Sequence, residues 1–458
     1  MKSASNRIKI MWIFIALSLA GAAFLLFSII TQGGDWATST RNAHLYVNGT
    51  LIGAGNITDA DGEILCATAD GKRTFHEDSE VRSSLLHIVG DNHGFIASSV
   101  QNQYRTNLSG YNRIMGVWEL SNFEQGSEVN LTLKSSACKT AYEALDGRKG
   151  AVCVYNYKTG QVLVSVSTPT YDPENVPDNV NDSEYYDGVY INRVTMGLYP
   201  PGSTFKVITA AAAIDNVDGI DGKEFYCDGA YHTSYGDVNC MNEHGSLKMK
   251  EALAKSCNSA FAEIANEVGA GKLQKTAENF GYNKKIALGK LGVYTSVIKT
   301  VKDDPLELGW AGIGQSTTLV TPLEQMRIMG AIAGDGVPVE PYLVQKVTTA
   351  AGFVNETGNT KNGPRAVSPE TAAELKSLLR NNFEAQYGDW HFHEGLNPCG
   401  KSGTAETEPN KTPHAWFAGF LDNAEYPYAF AVIVEEGGSG SEVALPVAAQ
   451  VINALTDK

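Results

Sequence analysis

Ser203 and Lys206 stand three residues apart in YPPGSTFKVITAAAAI, a segment that is otherwise almost wholly apolar. A serine hydroxyl is a weak nucleophile until a neighbouring base takes its proton. Lysine is a poor base while solvated, but burial disfavours its charged form and lowers its pKa. The segment reads as a helix that is hydrophobic on nearly every face, which places it inside a large domain. Residues i and i+3 then share a face, one turn apart. A buried lysine without a partner is costly, which favours a chemical role over a side chain that merely reaches out to solvent. Backbone N–H groups are exposed where such a helix begins, so the Ser203 amide can supply half of an oxyanion hole.

Ser256-Cys257-Asn258 and Lys401-Ser402-Gly403-Thr404 follow in that order. A cation at Lys401 close to Lys206 would lower the Lys206 pKa further. Each motif is weak alone, and the chain contains literal decoys. Ser136 with Lys139, and Ser296 with Lys299, repeat the serine–lysine spacing, and Lys158-Thr159-Gly160 imitates the lysine motif. The last lies between the β-rich pieces AVCVYNY and QVLVSVS, where a hairpin turn is expected, and it precedes the serine motif. It reads as a solvated turn.

Cys227, Cys240, His244 and Cys257 form a local density that the rest of the chain does not approach. Three thiolates and an imidazole make a tetrahedral zinc set, although the spacing is not that of a zinc finger. If Ser256 and Asn258 both face a cleft, Cys257 between them turns back into the protein. With every position filled by protein there is no water to activate, and the metal would brace the second motif. A Cys227–Cys240 disulfide, suited to a domain outside the membrane, and buried free cysteines stay open as alternatives. His391 and His393, in DWHFHEG, have no carboxylate or thiolate pattern beside them and read as a solvated loop.

The elements that must position these residues have ample length. A chain of 458 residues has room for two or three domains. Its net charge of -15 gives an acidic surface that repels phosphate backbones and excludes nucleic acid as a partner. Seven cysteines are odd in number, so they cannot all pair, and too few for a disulfide scaffold. Residues 10–30 (IMWIFIALSLAGAAFLLFSII) carry no charge and are long enough for one transmembrane span. Lys2, Arg7 and Lys9 precede that run and Asp35 is the first charge after it, so residues 1–9 are expected in the cytoplasm and the remainder outside. A cleaved signal peptide is the alternative; the run is long for one, and no clear small-x-small cleavage site follows it.

Residues 31–145 mix short strands with Gly, Asn and Asp turns and hold no chemical cluster, so they read as a spacer or docking domain. From about residue 146 the order is strands, then helix-like stretches (SLKMKEALAKSCNSAFAEIANEVG, TPLEQMRIMGAIAG), then the strands AWFAGFLD and YAFAVIVEE and a closing helix. That order predicts an α+β domain over 146–458 whose sheet is built from both ends of the segment.

The three motifs, in this order, resemble the S-x-x-K, S-x-N and K-[TS]-G set of penicillin-binding proteins and serine β-lactamases. The resemblance is wider than the motifs. GRKGAVCVYNYKTGQVLVSVSTPTYDPENV, INRVTMGLYPPGSTFKVITAAAAI, WAGIGQSTTLVTPLEQMRIMGAIAGDGVPVEPYLV and HAWFAGF are similar to successive segments of class B, monofunctional penicillin-binding proteins. NITDADGEIL is similar to that family's pedestal signature without its usual arginine-glycine start.

Membership would imply an antiparallel sheet with helices, preceded by a transmembrane helix and a small β-rich pedestal. The activity would be a D,D-transpeptidase, inhibited by β-lactams, that cross-links peptidoglycan stem peptides through a serine acyl-enzyme on D-Ala-D-Ala. On the family's pattern the Thr404 amide completes the oxyanion hole and Ser256 relays a proton to or from the leaving group. Asn258 holds Lys206 and the substrate amide, and Lys401, Ser402, Gly403 and Thr404 bind the terminal carboxylate. No cofactor is needed for catalysis, and a polytopic SEDS-type glycosyltransferase is the expected membrane partner. A serine β-lactamase is the enzymatic rival; the anchor, the pedestal and the lack of a deacylating glutamate motif argue against it. A non-catalytic wall-synthesis scaffold would have decayed motifs, whereas every catalytic position is filled.

Overall fold

The uncharged run at residues 10–30 lies within helix α1 (Lys2–Ala37) of the computed structural model, in which residues 2–39, 46–47, 50–51, 53–70, 72–112, 117–118, 126–407 and 411–457 are described. Residues Asn6–Ala37 form one helix long and apolar enough to cross a bilayer, and its side chains are almost all exposed. The helix outruns the apolar stretch at both ends, because local hydrogen bonding and caps end a helix, whereas hydropathy does not. At its C-terminal end Thr38 Oγ1 donates to Gly34 O at 2.7 Å, and Thr106 Oγ1 donates to Asp35 Oδ1 at 3.2 Å, tying the anchor to the domain that follows.

Along the chain come β1 (Ile57–Thr58), β2 (Ile64–Ala69), β3 (Lys72–Phe75), α2 (Ser79–Val89), β4 (Glu128–Leu131) and α3 (Ser135–Leu145). Next are β5 (Gly150–Asn156), β6 (Val162–Thr168), α4 (Lys206–Asn216), α5 (Met249–Ala254), α6 (Asn258–Val268) and α7 (Pro322–Ala333). The chain finishes with β7 (Val344–Thr348), β8 (Val354–Thr357), α8 (Pro369–Gln386), β9 (Pro398–Ala405), β10 (His414–Leu421), β11 (Tyr428–Val434) and α9 (Leu445–Thr456).

Two sheets organise these elements. The first has the order β6-β5-β11-β10-β9, antiparallel throughout, so it is assembled from both ends of the C-terminal segment as the element order predicts. Its inner strands are buried at almost every residue. They read as continuous Val, Ala and Phe runs because helices cover them; α7, α3 and α9 pack against the sheet. Lys158-Thr159-Gly160 is the β5–β6 hairpin turn, with Gly160 at φ 88°. Helix α7 starts as its sequence dictates, with Pro322 in the first turn and the Thr321 side chain accepting from Glu324 N at 3.2 Å.

The second sheet has the order β8-β7-β4-β1-β2-β3. Its strands β7 and β8 come from residues 344–357, so the segment 31–145 does not close its own sheet. The two parts are also joined by Arg82, whose Nε and NH2 each donate to one Asp172 oxygen at 2.7 Å, the fork geometry that makes such pairs strong.

One expected helix is broken. SLKMKEALAKSCNSAFAEIANEVG divides into a strand at Gly245–Lys248, α5 and α6. The interruption falls at Ser256, held at φ 53°, a conformation that disfavours a side chain and ends a right-handed helix. Cys257 then caps α6, its Sγ accepting from Ala260 N at 3.4 Å.

Candidate active site

Ser203 lies on a 3-10 turn, Gly202–Phe205, and Lys206 is the first residue of α4. The expected single α-helix is therefore tighter at its start, and in a 3-10 turn residues i and i+3 eclipse one another. This turn is wedged against β9. A Cβ on Gly202, at φ 53°, would lie 2.7 Å from Thr404 O, and one on Gly403 would lie 2.9 Å from Pro201 O. Glycine is required on both sides of this contact, since any side chain would push the serine turn off the strand. Trp416 Nε1 donates to Pro200 O at 2.9 Å and Gly202 N to Gly314 O at 2.9 Å, so β10 and the WAGIGQ loop brace the same turn.

Lys206 is fully buried. Its Nζ donates to Ser256 O at 2.6 Å, to Ser256 Oγ at 3.3 Å and to Asn258 Oδ1 at 2.7 Å. Burial, and then the charge of Lys401, push its pKa well below the ordinary lysine value. The left-handed backbone at Ser256 turns its carbonyl toward Lys206; such strain persists where surrounding contacts over-determine it. Asn258 is fixed from its other end, Nδ2 donating to Asn239 O at 2.9 Å.

Lys401 is also buried, on β9, with Nζ donating to Ser402 O at 3.1 Å. The register Lys401↔Ala418, Ser402↔Phe417, Gly403↔Trp416, Thr404↔Ala415 sets Lys401 to Thr404 along the edge of the sheet beside the serine turn. All three motifs thus converge: α4 meets α5–α6 through Lys206, and the turn before α4 meets β9.

The decoys do not converge. Lys139 lies on α3 with Asp78 and Glu80 each 2.7 Å away. Ser296 Oγ accepts from Thr321 N at 3.1 Å, a purely structural contact.

Cys227, Cys240, His244 and Cys257 are brought together as their sequence density suggested, with every ligand atom within 4.8 Å of the others. Cys240 Sγ lies 3.9 Å from Cys257 Sγ and 3.5 Å from His244 Nδ1, and Cys227 Sγ lies 3.6 Å from that nitrogen. All seven cysteines are free thiols. The Cys257 contact and surrounding backbone donors draw the Cys240 thiol down, while the same contact and burial push Cys257 up. The cluster adjoins the second motif directly, since Asn258 N donates to Cys240 Sγ at 3.3 Å.

Tyr387 escaped the sequence reading. It caps α8, and its hydroxyl lies 2.8 Å from Ser402 Oγ and 3.0 Å from Ser402 N. Nothing in FEAQYGDW marks it, because the contact depends on how α8 crosses β9.

Residues 150–454 match the family described as penicillin binding protein transpeptidase domain. The peptidoglycan D,D-transpeptidase PbpA of Mycolicibacterium smegmatis is 31% identical over 354 residues, 70% of this chain and 71% of the relative. Among solved structures, the ceftriaxone acyl-enzyme complex of penicillin-binding protein A from M. tuberculosis superposes with a TM-score of 0.80 at 26% identity, covering 88% of this chain and 98% of the other. The D,D-transpeptidase domain of a peptidoglycan glycosyltransferase from Eggerthella lenta gives 0.76 at 29% identity, covering 88% and 97%.

Proposed function

The chain belongs to the penicillin-binding protein transpeptidase family as a class B member, and from that premise we propose that Ser203 carries the acyl group. The protein is a peptidoglycan D,D-transpeptidase, a serine acyltransferase that cross-links stem peptides and is a target of β-lactams. One observation above others supports this reading of the residues: a fully buried Lys206 bonded to Ser256 and Asn258 and depressed by burial and then by Lys401.

Neutral Lys206 takes the Ser203 proton as Oγ attacks the carbonyl carbon of the penultimate D-Ala. The Ser203 and Thr404 amides stabilise the resulting oxyanion. Ser256, within reach of Lys206, passes a proton to the departing D-Ala amine, leaving an ester on Ser203. An amine of a second stem attacks that ester, its proton returns by the same route, and Ser203 is freed. Asn258 holds Lys206 and the substrate amide, while Lys401, Ser402, Gly403 and Thr404 hold the terminal carboxylate. Mapping the penicilloyl adduct to the peptide containing Ser203 tests the assignment.

The organisation we propose is a cytoplasmic segment 1–9, a membrane anchor within 10–30, a pedestal over 31–145 whose sheet β7 and β8 complete, and a catalytic domain over 146–458 on the outer face. Lys2, Arg7 and Lys9 before the span support that orientation. The anchor and pedestal also suit docking onto a SEDS-type glycosyltransferase that supplies nascent glycan. Full-length protein should co-purify with such a partner from detergent-solubilised membranes. Exchanging residues 31–145 together with 344–357 for those of a relative should abolish the association while leaving penicillin uptake in place. Full activity in cells without any membrane partner would count against the docking role.

A structural zinc at Cys227, Cys240, His244 and Cys257 belongs to the same reading. Zn–S near 2.3 Å and Zn–N near 2.0 Å give tetrahedron edges of roughly 3.5–3.8 Å; three of the six separations, 3.5, 3.6 and 3.9 Å, lie near them, and all six are within 4.8 Å. The ion would hold Cys257 and thereby fix Ser256 and Asn258 around Lys206, with no part in the acyl transfer. Protein purified without added metal should contain about one zinc per chain, and Cys257→Ser and His244→Ala should lose both the zinc and thermal stability. Metal-free protein with two fewer titratable thiols would instead establish the disulfide.

A further inference from the structure

Strand β9 is the outer strand of its sheet, so the backbone groups of alternate residues point away from β10. Side chains of α8, its cap Tyr387 and the strand's own Lys401 occupy several of these groups. Arg380 NH1 donates to Pro398 O at 2.8 Å and Asn382 Nδ2 to Gly400 O at 2.6 Å. Ser402 N donates to Tyr387 Oη at 3.0 Å, and Ser402 O accepts from Lys401 Nζ at 3.1 Å. The free edge is thus covered as far as Ser402, and Thr404 is the next outward position.

Tyr387 does more than cover an edge. A backbone N–H can only donate, so Tyr387 Oη is the acceptor from Ser402 N, and the same phenol oxygen lies 2.8 Å from Ser402 Oγ. The tyrosine ring is held edge-on by Phe417 and Phe383, each with centroids 5.4 Å from it, so packing fixes where the phenol oxygen meets Ser402.

We propose that Tyr387 is the positioning residue for the donor's terminal carboxylate, acting through Ser402 by holding its hydroxyl in place. The inference rests on the assignment of Ser402 to carboxylate binding and adds the residue that aims it.

The test uses detergent-solubilised full-length protein acylated by a penicillin and by the methyl ester of the same penicillin, whose neutral ester replaces the carboxylate. Tyr387→Phe keeps the ring and removes only the hydroxyl. It should lower the second-order acylation constant for the free acid about tenfold, with the loss in binding rather than in the limiting rate. The methyl ester should change less than about twofold, an internal control against a damaged fold. Ser402→Ala should show the same selectivity, and the double variant should be no worse than Ser402→Ala, because the phenol acts through that hydroxyl. If Ser402→Ala leaves the free acid unaffected, the carboxylate role of Ser402 fails, and this inference with it. If Ser402→Ala weakens the free acid but Tyr387→Phe does not, or slows acid and ester alike, or multiplies the Ser402→Ala loss, the role of Tyr387 alone is overturned.

Discussion

Penicillin labelling should vanish in Ser203→Ala. Purified wild-type protein should take up one fluorescent penicillin per chain, and the variant none, because among the described residues no other hydroxyl combines the required surroundings. Ser136 sits on a helix whose lysine, Lys139, is held by Asp78 and Glu80, and a carboxylate-bound ammonium cannot accept a proton. The Ser296 hydroxyl already serves Thr321 N. Ser203 lies on a turn pressed against the strand of the lysine motif, with a buried lysine at the next turn. The substitution removes one oxygen from a partly exposed site, so the variant should keep its fold and near-wild-type melting temperature. A label that persists in Ser203→Ala, or maps to Ser136 or Ser296, would overturn the assignment. The bound label should also outlast many turnovers of a β-lactamase, since the acyl-enzyme is resolved by an amine and not by water.

The members of the proposed catalytic constellation were legible in the sequence because each motif is local. Ser203–Lys206 and Ser256–Asn258 are fixed by spacing within a turn, and the buried character of α4 follows from an apolar run that can face no solvent. The five-stranded sheet was legible for a related reason. Strands covered on both faces are continuously apolar, and β5, β6, β10 and β11 stand out from their flanks. Elements whose state depends on distant residues were not legible. The helix-like stretch around Ser256 has good helical periodicity on either side, but Lys206 and the Cys240 sulfur draw Ser256 O and Asn258 N out of any continuous helix. Strands β7 and β8 sit far along the chain from the sheet they complete, and only the folded topology joins them. Tyr387 belongs to the same class: its partner is fifteen residues away on another element.

Removing the base should cost almost as much as removing the nucleophile. Lys206→Ala should slow acylation by at least about 10²-fold, the lower end of what a positioned general base contributes. The pH dependence gives a sharper test because its sign is set by two separate causes. Only neutral Lys206 can accept the serine proton, so the acylation rate should climb with pH as Lys206 deprotonates. Burial and the Lys401 charge both disfavour the protonated form, which places the midpoint of that climb well below the ordinary lysine value near 10.5. Between the folded and unfolded values the unfolded chain binds one more proton at this position, so folding stability also rises with pH across that interval. Lys401→Met removes the second cause and leaves the first. Its acylation profile should shift to higher pH, with the free-acid penicillin further weakened by loss of its carboxylate partner. Added salt should not reproduce the shift, because both lysines are buried and bulk ions screen such pairs poorly. Lys206→Arg, which cannot give up its proton in this range, should be inactive with no rising limb at all. A profile that keeps its midpoint in Lys401→Met would remove the Lys401 charge from the cause, and one unchanged in Lys206→Ala would take the base assignment away from Lys206.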